Sequence, residues 1–319
     1  MDAVLTEEQA ALAEAAADLA ADGLAAARTV LDGGAMPAQP TQALFEGFNG
    51  LGIDEAAGGA GGSLVDLALV VRALGRTVCP TPWLPHQLAL HAASAAGLDI
   101  SDGMRPDARW VIIDGDPTNV RHGVGAELAV LLDDDDVEVR PVGETQPHQV
   151  MDRTRPMAEV TMGPLLQQSR AGGNEGRMRA RAVVAASLVG TGLGAIERAS
   201  AYAMQREQFG RPVGSFQGVS HQLAEAWTAV ELAWSLALYA CWAVSEGQGD
   251  ANRAVDAAVA KAGSAAIAAA ERGMQVHGGV GITWEADPHL ALRRAMADDA
   301  WFGGVRKAQL SLGRSLLAG

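Results

Sequence analysis

The chain has 319 residues, of which 49% are hydrophobic, and its formal net charge is −14 with a pI near 4.9. This composition predicts a globular protein with a sizeable core. The acidic balance, with no basic run to offset it, argues against nucleic acid or an anionic membrane surface as a partner. Cys79 and Cys241 are too few for a disulfide framework and lie in no metal-ligand pattern, so we expect two buried small side chains.

The first residues do not combine a basic region with an apolar run, which a secretory signal would need. No window contains the eighteen or so uninterrupted apolar residues of a membrane span. A cytoplasmic location is therefore the expectation.

Alanine-rich stretches dominate both ends of the sequence and favour helix, because alanine loses least on entering one. The first expected helix runs from the capping box Thr6–Gln9 to about Thr29. Pro37 and Pro40 then interrupt the pattern. Two more helices are expected at 41–49 and at 63–74, the latter capped by a serine.

The periodicity changes to that of short strands after Trp110. The expected strands cover 110–113, 128–132 and 137–140. Between the last two lies the run Asp133–Asp136. Clustered carboxylates suit hard cations, but consecutive residues do not converge on one point, so a solvated turn is the favoured interpretation.

Helical periodicity returns after Met162 and continues almost to the end. The expected helices are 176–205, 217–246, 250–276 and 288–317. Short loops between long helices favour antiparallel neighbours and hence a four-helix bundle. The predicted fold is mainly α, with an N-terminal helical domain (1–103), a small central β domain (104–164) and a C-terminal helical bundle (165–319).

Two segments of the C-terminal region carry the strongest functional signal. Arg206 is followed by Phe209, Gly210 and, eleven residues after the arginine, Gln217. Further on, Gln275–Gly281 reads Gln-x-x-Gly-Gly-x-Gly. A guanidinium offers phosphate a planar fork of donors, and glycines permit positive φ and close backbone approach.

Both segments resemble the flavin-binding motifs of the acyl-CoA dehydrogenase family, and the resemblance covers nearly the whole chain. It implies FAD as the cofactor. By this resemblance the arginine pairs with the pyrophosphate, the phenylalanine packs on the dinucleotide and the glutamine hydrogen-bonds it, while the second motif approaches the adenosine end. The implied cofactor-binding residues are Arg206, Phe209, Gln217, Gln275, Gly278 and Gly279.

The family's catalytic glutamate has no counterpart in this sequence. Its usual position, twenty-seven residues after the motif glutamine, is Phe302, and the other family position, twenty-six residues before the motif arginine, is Ala180. Neither side chain can accept a proton. Arg181 matches an arginine common near the substrate, with a surface or interface role as the alternative. No catalytic residue is therefore assigned to this chain.

The remaining polar residues near the motifs receive structural assignments. His277 is expected in a loop rather than in catalysis. Asp298 and Asp299 are expected to be structural, as are Glu285 and Asp287, which lie where a helix N-terminus favours negative charge.

The flavin-ring half of the family site comes from two segments of the middle domain, and neither is visible between Pro80 and Met162. This region looks shortened, although Asp152–Pro156 resembles the end of that domain. The resemblance therefore implies a short FAD-binding subunit that pairs with a larger homologous chain as an α2β2 heterotetramer. The partner would carry the base for α,β-dehydrogenation of an acyl-CoA thioester, with a steroid-derived acyl group as the family analogy.

Two alternatives remain open at this point. The chain could form a homo-oligomeric dehydrogenase with an unrecognised base. It could also be a non-catalytic scaffold, although the complete set of motif residues argues against a decayed site.

Overall fold

The computed structural model describes residues 4–317, and its first five helices make up most of the N-terminal region. They are α1 (Glu7–Leu19), α2 (Gly23–Leu31), α3 (Ala38–Gly47), α4 (Leu64–Arg76) and α5 (Trp83–Ala95). The capping box predicted at the start of α1 and the serine cap predicted for α4 are confirmed, and the Ser63 cap also proves to be a capping box.

Two helix predictions in this region need correction. The helix expected over 6–29 is two helices, because the chain leaves helical hydrogen bonding at Ala20 and restarts at Gly23. The helix expected at 41–49 begins three residues earlier, at Ala38. Pro40 lies in its first turn, where a missing N–H costs no helical hydrogen bond.

The strands form one twisted sheet in the middle of the chain. They are β1 (Trp110–Asp114), β2 (Val120–Arg121), β3 (Leu128–Asp133), β4 (Asp136–Pro147), β5 (Met157–Met162) and β6 (Gln167–Ser169). Their order is β1-β3-β4-β5-β2, and β6 pairs with β4; only β1 and β3 run parallel. The three predicted strands are confirmed. The predicted turn at the aspartate run is confirmed as well, with Asp134 at φ 46°.

The C-terminal region contains the longest helices and a small hairpin. The elements are α6 (Gly173–Gln205), β7 (Glu207–Gln208), β8 (Arg211–Pro212), α7 (Gln217–Ser245), α8 (Ala251–His277), α9 (Pro288–Asp299) and α10 (Gly304–Leu317). The expected single helix over 288–317 is wrong, because Phe302, Gly303 and Gly304 all have positive φ. The last side of the predicted four-helix bundle is thus made of two helices, α9 and α10.

Helix α6 is the centre of the molecule. It packs on α7, α8 and α9, and on α4 from the N-terminal region. Gly190 and Gly194 lie so close to the carbonyls of Arg72 and Arg76 that a Cβ would overlap them. Helices α6 and α7 are long and apolar enough to span a membrane by composition, but 94% of the apolar window of α6 is buried inside the protein. Buried core helices have the same composition.

Candidate functional site

The first motif forms a tight hairpin between α6 and α7. Strand β7 pairs with β8, and the two residues between them, Phe209 and Gly210, have φ values of 54° and 78°. Two consecutive positive φ angles define the type I′ turn that hairpins favour. Glycine adopts this conformation freely, whereas a phenylalanine does so at a cost of about 1–2 kcal/mol. The Phe209 ring is nevertheless 93% exposed, with one edge-on contact to Phe216.

Arg206 is the C-cap of α6, at the base of this hairpin. Its backbone is fixed, because its N–H donates to Tyr202 O at 2.8 Å and its carbonyl accepts from Val213 N at 2.7 Å. Its exposed guanidinium has no hydrogen bond or ion pair within residues 4–317. Gln217 begins α7 with an exposed side chain. Arg206 and Gln217 therefore present an unpaired cation and an amide to the outside of the chain.

The second motif ends α8 and exposes bare backbone. Gly278 has φ 63° and ψ −143°, a conformation that is essentially restricted to glycine. A Cβ at Gly278 or Gly279 would meet no atom within 4 Å. Packing inside the chain thus gives no reason for glycine at position 279. Close approach by a group from outside the chain does give a reason.

A ring contact that spacing did not predict brings the two motifs together. Tyr202, one helical turn before Arg206, stacks on His277 with ring centroids 4.2 Å apart and planes at 24°. His277 is the last residue of α8 rather than a loop residue, and its Nδ1 hydrogen-bonds the carbonyl of Gly273 at 2.7 Å. The sequence carries one sign of this contact, which is that an aromatic side chain lies in or next to each motif.

These features fit half of a dinucleotide site. An unpaired guanidinium suits pyrophosphate oxygens, an exposed aromatic ring suits a nucleotide, and bare glycine backbone permits close approach. All six motif residues are exposed and face outward from the chain. A ligand held here would therefore need a second surface to enclose it.

The position of the family's base is occupied by a packed aromatic side chain. Phe302 is 5% exposed and stacks on Trp301, with centroids 5.3 Å apart. The guanidinium of Arg121 lies 4.4 Å from the Trp301 ring centroid and donates to Ala297 O at 2.6 Å. The second position, Ala180, is fully buried in α6.

The carboxylates near Phe302 are engaged in structural contacts. Asp298 is fully buried, accepts from Arg155 Nε at 3.2 Å and accepts from Ser187 Oγ at 3.0 Å. Burial alone would raise the pKa of Asp298, but Arg155 and two further arginines hold it below its usual value. Asp299 accepts from Val305 N at 3.0 Å at the start of α10, and burial raises its pKa. A buried carboxylate with a lowered pKa is a weak base.

Two other charged residues singled out in the sequence also have partners. Asp287 lies at the N-terminus of α9, as predicted, and pairs with Arg28 at 2.6 Å. Arg181 pairs with Asp256 of α8 at 2.6 Å, and both side chains are nearly buried. In this chain Arg181 therefore links α6 to α8.

Segment Asp152–Pro156 anchors the β region to α9. Arg294, which is fully buried, donates to Asp152 Oδ2 at 3.0 Å and to Thr154 Oγ1 at 2.5 Å. Together with the Arg155–Asp298 pair, these bonds fix the end of α9 and the turn that holds Phe302. Breaking a buried pair of this kind costs about 3–5 kcal/mol.

Two family models match the chain. The acyl-CoA dehydrogenase N-terminal domain matches residues 6–98, and the acyl-CoA dehydrogenase C-terminal domain matches residues 175–314. The acyl-CoA dehydrogenase IpdE2 of Mycobacterium tuberculosis is 33% identical over 255 residues, covering 78% of this chain and 77% of that protein. The chain belongs to the acyl-CoA dehydrogenase family, an oxidoreductase family whose cofactor is FAD.

A longer relative and three solved structures complete the comparison. The acyl-CoA dehydrogenase FadE34 of M. tuberculosis is 33% identical over 345 aligned positions. The alignment covers 95% of this chain and 47% of FadE34, so the chain spans about half of that protein. The ChsE4–ChsE5 complex from M. tuberculosis (TM-score 0.85, 19% identity) covers 100% of both chains. The G363A variant of the Tcur3481–Tcur3483 steroid ACAD (TM-score 0.85, 22% identity) covers 98% of both chains. The FAD complex of PigA (0.82, 18%) covers 100% of both. These structures confirm the predicted fold.

Proposed function

We propose that this chain is the FAD-binding subunit of a heteromeric acyl-CoA dehydrogenase, with the catalytic base on a homologous partner chain. The observation that carries the proposal is the combination of a complete, outward-facing half-site at Arg206 and a packed phenylalanine at the base position, Phe302. A subunit with only these features can bind cofactor but cannot deprotonate the substrate.

Each motif residue has a role in this proposal that follows from its chemistry. Arg206 forms charge-assisted hydrogen bonds to the pyrophosphate, and Gln217 adds a neutral one. Phe209 packs on the dinucleotide. The second motif lets the adenosine end lie against bare backbone at Gly278 and Gly279. When bound, FAD supplies the hydride acceptor for α,β-dehydrogenation.

The flavin ring is assigned to the partner because of what surrounds Phe302. At the base position Phe302 stacks on Trp301, with Arg121 over the Trp301 ring, so an apolar side chain stands where the family has its carboxylate. Asp298 is held as a weak base by its arginine neighbours, and Asp299 holds the first turn of α10. A general base contributes about a hundred- to ten-thousand-fold to such a reaction, so this chain alone is a poor catalyst.

The substrate we propose is an acyl-CoA thioester with a steroid-derived acyl group. Support comes from the similar solved structures, which include the Tcur3481–Tcur3483 steroid ACAD and the ChsE4–ChsE5 complex. FadE34, of which this chain matches about half, supports a function that needs a second polypeptide region. An α2β2 assembly in the cytoplasm remains part of the proposal.

The experiment is to purify the chain alone and together with a homologous chain encoded beside it. We expect colourless, inactive or insoluble protein in the first case and a yellow, active complex in the second. Activity is measured on a steroid acyl-CoA with an artificial electron acceptor. Yellow and active protein from the chain alone would overturn the proposal and favour the homo-oligomeric alternative.

A further inference from the structure

A groove with mostly apolar walls lies outside the flavin half-site, between α3 and the sheet. Its volume is about 690 Å³, within the 300–1,000 Å³ range of small-molecule sites. Its walls are mostly apolar and include Met36, Pro82, Val124 and Met157. No residue of either flavin motif lines it.

The two carboxylates on the wall of this groove already have partners. Glu46 accepts a hydrogen bond from Gln42 Nε2 at 2.7 Å. Asp107 pairs with Arg105 at 3.3 Å, and Arg105 also pairs with Glu127 at 2.7 Å. The acidic groups are therefore satisfied by neighbours rather than by the arginine that lines the groove.

Arg109 is the cation on the wall of the groove, and within residues 4–317 it has no ion-pair partner. Its guanidinium lies 4.0 Å from the ring centroid of Phe45 and donates only to the carbonyls of Pro106 at 3.2 Å and Ala108 at 2.7 Å. Partial burial lowers its pKa, while the charges of Glu127 and Asp107 raise it. A partly buried guanidinium that makes no ion pair can still accept an anionic partner from the groove.

His122 lines the same groove in a strained conformation. It is 8% exposed and has φ 54°, a left-handed angle that costs a residue other than glycine about 1–3 kcal/mol. Burial and the neighbouring arginines Arg155, Arg294 and Arg121 hold its pKa well below the ordinary value, so the imidazole is neutral. The groove thus has one cation, two carboxylates with partners inside the chain, one neutral imidazole and otherwise mostly apolar walls.

We propose that this groove binds an amphipathic carboxylic acid, with the carboxylate on Arg109 and the apolar body along Pro82, Val124 and Met157. Glu46 accepts from Gln42 and Asp107 pairs with Arg105, so among the residues that line the groove Arg109 is the charged donor left for a ligand. A strongly polar anion such as free phosphate does not fit the apolar walls. The inference does not depend on the flavin assignment, because the groove and the motifs share no residue.

The test uses 11-(dansylamino)undecanoic acid and its uncharged primary amide as fluorescent probes of the purified protein, with its partner chain where the complex is the soluble form. We expect saturable binding of the acid. Arg109→Gln should weaken binding of the acid at least tenfold and leave that of the amide within twofold. Ala38→Trp, at an exposed position on the groove wall, should remove the same binding component for both probes.

Arg253→Gln is the matched control, since Arg253 is an exposed arginine of α8 away from the groove. It should not change either affinity. Thermal midpoints verify that all variants are folded. The proposal is overturned by the absence of saturable binding, by equal effects of Arg109→Gln and Arg253→Gln, or by unchanged binding in Ala38→Trp.

Discussion

Tyr202 and His277 stack with ring centroids 4.2 Å apart, although 75 positions of sequence separate them. This contact ties the end of α6 to the end of α8 and so fixes the two flavin motifs relative to each other. A cofactor that touches both motifs depends on their spacing, which makes the stacked pair a positioning element.

Replacing either ring with leucine should weaken flavin retention several-fold without removing any proposed flavin contact. A double-mutant cycle on Tyr202→Leu and His277→Leu should give a coupling energy of about 0.5–1.5 kcal/mol in thermal unfolding. Tyr239→Phe is the control, because it removes a hydrogen bond to Asp250 at 2.9 Å in another part of the bundle. Additive effects of the two leucine substitutions would contradict a positioning role.

Phe209 should show a trade-off between stability and binding. Phe209→Asn is expected to stabilise the protein by about 1 kcal/mol, because asparagine tolerates the left-handed conformation. The same change should lower flavin affinity, since the exposed ring is lost. Denaturation and flavin titration measure the two effects. Leu232→Asn, an exposed apolar residue in a helix, should not stabilise. If Phe209 served only the hairpin, Phe209→Asn would leave the flavin affinity unchanged.

Two buried histidines of α5 should make stability depend on pH. Burial lowers the pKa of both His86 and His91 to about 3. As the pH falls, the unfolded chain therefore protonates both histidines near pH 6.5, while the folded chain still keeps them neutral. Stability is fully present above pH 6.5 and falls as the pH drops toward 3, by about 1.4 kcal/mol per unit for each histidine.

Urea unfolding between pH 6.5 and 4.5 measures this slope before most carboxylates titrate. His91→Gln should remove the contribution of one histidine and so make the dependence of the unfolding free energy on pH shallower. His221→Gln, at an exposed position of α7, is the control and should leave it unchanged. Identical slopes in wild type and His91→Gln would mean that His91 does not remain neutral in the folded protein.

Restoring a carboxylate at the family's base position should not create an active site. Phe302→Glu places a charge beside Trp301 in a buried aromatic stack and should destabilise the protein by several kcal/mol. Phe302→Leu, which keeps the site apolar, should cost less. Dehydrogenase activity per complex is then compared with wild type. A rise in activity for Phe302→Glu would indicate a nearly complete second active site in this chain.

Much of the fold followed from local signals in the sequence. The capping side chains of Thr6 and Ser63 mark two helix starts, and the ends of α6, α7 and α8 were predicted to within a few residues. The limits predicted for the three domains stay predictions. One hydrophobic cluster includes residues from all three of them, so the core does not separate them.

The misses have physical causes. Helix α5 was not predicted because eleven of its thirteen residues are buried, so the segment has no polar face to produce a helical period. The end of α9, just before the break at Phe302, is held by a contact distant in sequence, since Asp298 accepts from Arg155, 143 residues away. Motif spacing identified the candidate flavin residues, but no spacing rule predicts the Tyr202–His277 contact.

The flavin content of the purified complex tests the central claim most directly. We predict one FAD for each pair of different chains in the wild type. Arg206→Ala should weaken FAD binding at least tenfold, as expected for the loss of a charge-assisted hydrogen bond worth about 1.5–3 kcal/mol, whereas Arg253→Ala should not. One FAD for every chain, or unchanged FAD content and affinity in Arg206→Ala, would contradict the account.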